Sequence, residues 1–184
     1  MICLALTSCG WRMAPSCSSD KHLTLSIPYV EGDPSGSLTA ALSEQVEKRS
    51  GFSYVSGEGD LTLKVRLTDS KTDNIGFRHD PSKKLDGRQK LLPNESRKRI
   101  LAEVSVINSA TGQLLLGPLC VKASVDYDHQ HYALDNSINI FSLGQLTDMD
   151  TCRDGLVIPA HRALAKEITD ILVMHMQELH SNYR

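Results

Sequence analysis

The strongest constraint on the fold is the alternation of apolar and polar residues in the segment LTLKVRL, at positions 61–67. Every second residue is Leu or Val, and the residues between them are Thr, Lys and Arg. Successive side chains of a β-strand point to opposite faces of a sheet, so this spacing predicts a strand with one buried and one solvated face. Such a strand is stable only with neighbouring strands and a covering layer, which the rest of the chain must supply.

Further strands are predicted by the same alternation elsewhere in the chain. It is present in segment 22–30, and the short apolar segment 52–55 is another candidate. Segments 99–108 and 113–127 lie on either side of the turn-forming residues 109–112, Ser-Ala-Thr-Gly. Two alternating segments around such a turn are typical of a β-hairpin.

Two segments have the apolar spacing of amphipathic helices instead. The first covers 34–50 and follows Asp33, with Pro34 suited to the first helical position. The second covers the C-terminal segment 158–184. Their predicted apolar stripes are Leu38, Ala41, Leu42 and Val46 in the first, and Ala160, Leu164, Ile168, Ile171, Leu172 and Leu179 in the second. The order strand, helix, run of strands, helix predicts an α+β fold with two helices packed on one face of a mainly antiparallel sheet.

The segment 69–96 interrupts this pattern. It is polar and much longer than a usual hairpin connection of about 2–5 residues, so we predict a long loop. Residues 78–99 contain eight basic and three acidic residues, a net charge of +5 in a chain whose total is −2. That concentration of positive charge suits phosphate or another anionic group, but a solvated loop has the same composition.

Composition limits the classes of function. A chain of 184 residues with 40% hydrophobic residues fits one globular domain. A net charge of −2 and only one Trp and three Phe give no support for nucleic-acid binding. No apolar segment approaches the roughly 20 residues of a membrane-spanning helix. Segment 128–153 has no clear periodicity and is predicted as a long loop or a short irregular helix.

Motifs of catalysis and metal binding are absent from the sequence. It contains no GxSxG, no HExxH and no phosphate-binding glycine loop. His129 and His131 would face the same side of a strand, as zinc ligands can, but Cys120, Cys152 and His161 add no second pair at metal-site spacing. We therefore predict no cofactor and no metal, and the sequence offers no candidate catalytic residue. A soluble periplasmic enzyme or zinc protein that uses His129 and His131 remains an alternative.

The residues Leu-Thr-Ser-Cys at 6–9 are typical of the cleavage site of a bacterial lipoprotein. Small residues precede the cut, and the sulfur of the new N-terminal cysteine receives a diacylglyceryl group. Residues 1–8 contain no positive side chain and are short for an apolar region of about 7–15 residues. Either the true start lies upstream of Met1, or Cys9 is an ordinary cysteine.

On the lipoprotein interpretation the chain has three parts: a residual signal peptide at 1–8, a lipidated tether at 9–21 and a single domain at 22–184. The chain contains five cysteines. After cleavage and lipidation of Cys9 three remain, and a disulfide between Cys120 and Cys152 is then possible.

The order of these features resembles the lipopolysaccharide (LPS)-assembly lipoprotein family. The resemblance covers residues 9–127 and 156–180, including a strand–turn–strand over 97–116 and the Ala- and Leu-rich C-terminal helix. Segments 69–96 and 126–136 depart from the family pattern. The positions that carry the resemblance most directly are Cys9, Gly10, Trp11, Gly32, Asp33, Pro34, Gly36, Leu38 and Leu42.

The resemblance implies a non-enzymatic outer-membrane protein, anchored by lipid on Cys9. Its domain would plug the β-barrel LPS translocon from the periplasmic side, help that barrel to assemble and bind LPS. The implied LPS-binding residues are Arg97, Lys98 and Arg99, with Lys83, Lys84 and Arg88 as weaker candidates. Lipid A carries phosphates, which Arg and Lys bind electrostatically. The main alternative is an envelope lipoprotein that activates a peptidoglycan synthase.

Overall fold

The computed structural model describes residues 23–49, 51–79, 91–129, 154–175 and 178–179. The elements in chain order are β1 (Leu23–Ser26), α1 (Ser37–Glu47), β2 (Phe52–Val55), β3 (Leu61–His79), β4 (Leu91–Asn108), β5 (Leu114–Asp128) and α2 (Val157–Met174). In this part of the chain, neither helix is long and apolar enough to cross a membrane. The predicted signal peptide, Cys9, the tether and residues 130–153 lie outside the described residues.

The five strands form one sheet in the order β2-β1-β3-β4-β5. β1 is parallel to both β2 and β3, whereas β3, β4 and β5 are antiparallel. The α+β class is confirmed, but the sheet is mixed, so the prediction of a mainly antiparallel sheet was wrong. The strand order also differs from the chain order. Helix α1 explains the parallel pairing of β1 and β2. It returns the chain to the end of the sheet at which β1 began, so β2 runs in the same direction as β1.

Helix α1 begins at Ser37 and not directly after Asp33. Gly36 has a φ of 69°, a left-handed conformation that glycine adopts without a steric penalty, and it interrupts the helical backbone. The Asp33 carboxylate nevertheless caps the helix, because Oδ2 accepts the backbone N–H of Leu38 at 2.7 Å and that of Thr39 at 3.4 Å. The sequence therefore identified the capping residue but predicted too long a helix.

The segment predicted as a loop over 69–96 is largely strand. β3 continues to His79 and β4 begins at Leu91, and polar residues such as Asn74 and Ser96 face each other across the pair. The register shifts between Leu67 and Asp69 and again after Asn74, which interrupts the alternation of side chains. Hydrogen bonds between the backbones of neighbouring strands form in polar segments as well as in apolar ones. The spacing of apolar residues therefore could not reveal these strand ends.

One face of the sheet packs against both helices and forms the core. The predicted apolar stripes are confirmed within α1 and α2, with Leu38, Leu42, Leu164 and Ile168 fully buried. The second helix was predicted too long, since α2 ends at Met174 and the buried Leu179 lies beyond it. Burial of a side chain of this size stabilises the fold by about 1.5–3 kcal/mol relative to leaving it exposed. The largest buried side chains that the sheet contributes are Leu25, Leu61, Leu63 and Ile100. The other face of the sheet has no covering layer among the described residues.

Candidate functional site

The three basic residues at 97–99 do not form one cluster. Ser96 and Ile100 are buried on the helix-covered face, so the alternation of β4 places Lys98 on that face as well. Arg97 and Arg99 point to the opposite, open face. The structure therefore corrects the prediction of a joint anion site from these three neighbours: strand geometry separates them.

Both arginines on the open face already have carboxylate partners. Arg97 binds Asp126 through two parallel hydrogen bonds, Nε to Oδ1 at 2.6 Å and Nη2 to Oδ2 at 2.7 Å. This hydrogen bond and the carboxylate charge raise the pKa of Arg97 above its ordinary value. Arg99 pairs with Asp73 of the neighbouring strand β3. Nζ of Lys71 lies 3.3 Å from Oδ1 of the same carboxylate. Much of the positive charge on this face is thus neutralised across the strands.

A depression of about 730 Å³ is lined by Arg97 and Arg99 of these ion pairs together with residues of β3, β5 and α2. Arg97, Arg99, Lys71 and Lys122 contribute positive charge, whereas Asp69 and Glu167 contribute negative charge. Such a mixed lining does not select strongly for a phosphate.

The end of the β3–β4 hairpin combines exposed apolar and basic side chains. Phe77 is 55% exposed and Leu91 is 61% exposed, and Ile75, two residues before Phe77, is 37% exposed. The exposed Arg78 forms no ion pair with a described residue. It is paired with Leu92, so it lies on the opposite face of the hairpin from Phe77 and Leu91. β5 ends at Asp128, opposite Glu95 of β4, so no third described strand pairs with the last residues of the hairpin. The sequence pattern does not reveal this apolar end, because Phe77 and Leu91 occur in a segment that is polar as a whole.

The weaker candidates Lys83, Lys84 and Arg88 lie outside the described residues. In the sequence they belong to the connection between His79, which ends β3, and Leu91, which begins β4.

The histidine proposed for zinc has a hydrogen-bonding role in the structure. His129 is buried, and its Nε2 lies 2.8 Å from Ser96 Oγ, which donates to Asn74 Oδ1. No group of three His, Cys, Asp or Glu side chains within the described ranges could hold a metal ion. Cys120 is a free, exposed cysteine among the described residues. His131 and Cys152, the possible disulfide partner of Cys120, lie outside those residues.

No protein-family model matches the chain, and no curated protein matches it at a significant level. Three solved structures are similar in outline. Rare lipoprotein B from Shewanella oneidensis is 12% identical, with 86% of this chain and 97% of that chain covered and a TM-score of 0.46. The minor lipoprotein from Acinetobacter baumannii is 10% identical, with 88% and 94% covered and a TM-score of 0.41. Protein XCC0632 from Xanthomonas campestris is 9% identical, with 87% of each chain covered and a TM-score of 0.48.

Two of these neighbours are bacterial lipoproteins by name. All three identities are below 25% and all three TM-scores are below 0.5, so the likenesses assign neither a family nor a function to this chain.

Proposed function

We propose that this chain is a lipid-anchored lipoprotein of the outer membrane, without enzymatic activity, that binds LPS at the end of its β3–β4 hairpin. On this proposal it also plugs the β-barrel LPS translocon and helps that barrel to assemble. The support for the anchor is the Leu-Thr-Ser-Cys sequence that ends at Cys9, followed by Gly10 and Trp11. The support for the barrel partner is the resemblance of the chain to the LPS-assembly lipoproteins.

The observation that carries the LPS-binding part is the exposed apolar end of the hairpin. Phe77 and Leu91 would be solvated without a ligand, at a cost of roughly 25 cal/mol for each Å² of apolar surface left in water. Lipid A offers acyl chains for these side chains and phosphates for neighbouring cations. Arg78 is an exposed cation at this end, on the opposite face of the hairpin from Phe77 and Leu91. The sequence places Lys83, Lys84 and Arg88 in the adjoining connection.

Arg97, Lys98 and Arg99, which the sequence predicts as LPS-binding residues, have a smaller role on this proposal. Arg97 and Arg99 are held by Asp126 and Asp73, so an anion would have to compete with those carboxylates. Lys98 belongs to the helix-covered face. We therefore assign the main contacts to the hairpin end and a secondary role to the two arginines.

The direct test is binding of purified LPS to the lipidated full-length protein. The double variant Phe77→Ser, Leu91→Ser should weaken LPS binding at least severalfold, since both side chains are exposed and removing them leaves the core intact. Met174→Ser is the matched control, because Met174 is 73% exposed on α2, a different element of the fold. Unchanged LPS binding by the double variant would contradict the proposed site.

The anchor and the barrel partner need separate measurements. An intact mass of the protein extracted from membranes should begin at Cys9 and include a diacylglyceryl group and an N-acyl chain such as palmitate. Cross-linking in the envelope should recover a β-barrel protein. Recovery of a peptidoglycan synthase in its place would favour the alternative function.

A further inference from the structure

A buried polar network joins the start of α1 to α2. Asp33 precedes α1 and is 1% exposed, and His161 in the first turns of α2 is 6% exposed. Oδ1 of Asp33 and Nδ1 of His161 are 3.9 Å apart. Ser37 Oγ is closer to the ring, at 2.7 Å from Nδ1, and connects the two helices.

The direction of each hydrogen bond in this network follows from proton counting, because a serine hydroxyl has only one proton to donate. Ser35 Oγ donates to the Asp33 carboxylate at 2.8 Å. Ser37 Oγ, which lies 2.8 Å from Ser35 Oγ, must therefore donate to Ser35. With its proton used in this way, Ser37 can only accept from the ring, so neutral His161 carries its proton on Nδ1. The chain of donors runs from His161 through both serines to Asp33.

We propose that this hydrogen-bonded chain is an acid-sensitive latch between α1 and α2, and that protonation of His161 loosens it. Nδ1 already carries a proton, so the second proton binds Nε2 and places a full positive charge on a buried ring. Among the described residues, the charged groups that face this ring are Asp33, ahead of α1, and Lys98 of β4.

These two groups act in opposite directions on the protonated ring. Asp33 attracts it, but this carboxylate already accepts hydrogen bonds from Ser35, Leu38 and Thr39. Lys98 repels it, and burial removes the water that would solvate the new charge. Burial is the largest cause that lowers the pKa of His161 below 6.5, and Lys98 adds to it against the opposing effect of Asp33.

The lowered pKa fixes the sign of the pH dependence. Folded protein binds the proton more weakly than unfolded protein, in which the histidine has its ordinary pKa. The latch is therefore fully stable above the unfolded pKa near 6.5 and weakens as the pH falls through that value towards the folded pKa. Asp33 responds only at lower pH, because its own pKa is below 3.8.

The test is urea unfolding of the purified protein at about pH 7.5 and about pH 5, on either side of the ordinary histidine pKa. The unfolding constant of the wild-type protein should rise on acidification, by up to about tenfold for each unit by which the pKa is lowered. His161→Asn keeps an N–H donor for Ser37 but cannot titrate, so it should lose this response. His175→Asn makes the same change at the end of α2, where the side chain is 40% exposed, and should keep the response.

A second variant and a local readout keep the test decisive if His161→Asn folds poorly. Lys98→Met removes the repelling cation and should reduce the acid response. Amide exchange in the wild-type protein should accelerate at low pH in residues 37–41 and 157–164, relative to the intrinsic rate, before it does so in β3 and β4. An acid response of wild-type size in both His161→Asn and Lys98→Met, or uniform acceleration across the sheet, would overturn the proposal.

Discussion

Arg97 on β4 and Asp126 on β5 form a two-point ion pair across neighbouring strands, with N–O distances of 2.6 and 2.7 Å. Two residues further along β4, Arg99 pairs with Asp73 of β3, the neighbouring strand on the other edge of β4. The sequence alone assigns these two arginines to anion binding, but in the structure both are paired with carboxylates of the protein itself. This pairing leads to the first of four predictions.

Removing Arg97 should affect LPS binding only slightly while Asp126 is present. In an Asp126→Ala background the guanidinium loses its partner, and Arg97→Ala should then weaken binding more strongly. The measurement is LPS affinity for the wild-type protein, the two single variants and the double variant at two salt concentrations. An equal effect of Arg97→Ala in both backgrounds would mean that the ion pair does not compete with the ligand.

Asp33→Ala should destabilise the protein by about 1–2 kcal/mol at neutral pH, since the backbone N–H groups of Leu38 and Thr39 lose their capping acceptor. Burial alone would raise the pKa of Asp33, but hydrogen bonds from Ser35 and these N–H groups outweigh burial and hold that pKa below 3.8. The stabilisation is therefore present above pH 3.8 and is lost as the pH falls through the folded pKa.

Urea unfolding across the acid range checks this prediction. The difference between Asp33→Ala and the wild-type protein should shrink at low pH. The exposed Asp69→Ala should behave like the wild-type protein in this assay. A difference that stays constant down to the lowest pH would exclude the carboxylate charge as its cause.

Leu164→Ala should reduce the free energy of unfolding by about 2–5 kcal/mol, because it leaves a cavity between α2 and the rest of the core. Leu164 is completely buried, whereas Ile158 in the first turn of the same helix is 52% exposed. Ile158→Ala is the matched control and should stay within about 0.5 kcal/mol of the wild-type value. Similar losses in both variants would contradict the packing of α2 described here.

Gly117→Ala should destabilise the protein more than Gly112→Ala, although both glycines have a positive φ, of 96° and 71° respectively. Gly112 has open space where a Cβ would lie, so its substitution costs only the left-handed backbone penalty of about 1–2 kcal/mol. A Cβ on Gly117 would lie 2.5 Å from the backbone oxygen of Val104 and would force the strands apart. Thermal unfolding of the two variants measures the difference, and equal melting temperatures would refute this account of Gly117.

The parts of the fold that the sequence predicted correctly depend on local patterns. The stripe around Leu164 and Ile168 is visible because helical periodicity needs only neighbouring residues. The strand at 61–67 is visible because alternation has a period of two. Where register shifts near Thr68 and Ile75 interrupt that period, the local signal disappears, and the long hairpin was predicted as a loop.

The sequence by itself determined the α+β class, the stripes that form the core and the capping role of Asp33. Only the tertiary structure decided that the sheet is mixed, that Arg97 meets Asp126, 29 residues away, and that Ser37 meets His161, 124 residues away. The physical reason is that the spacing of apolar residues along a helix or strand follows from the local backbone geometry. The partner of a charged or polar side chain is set by strand register and helix docking, which bring together segments that are remote in the chain.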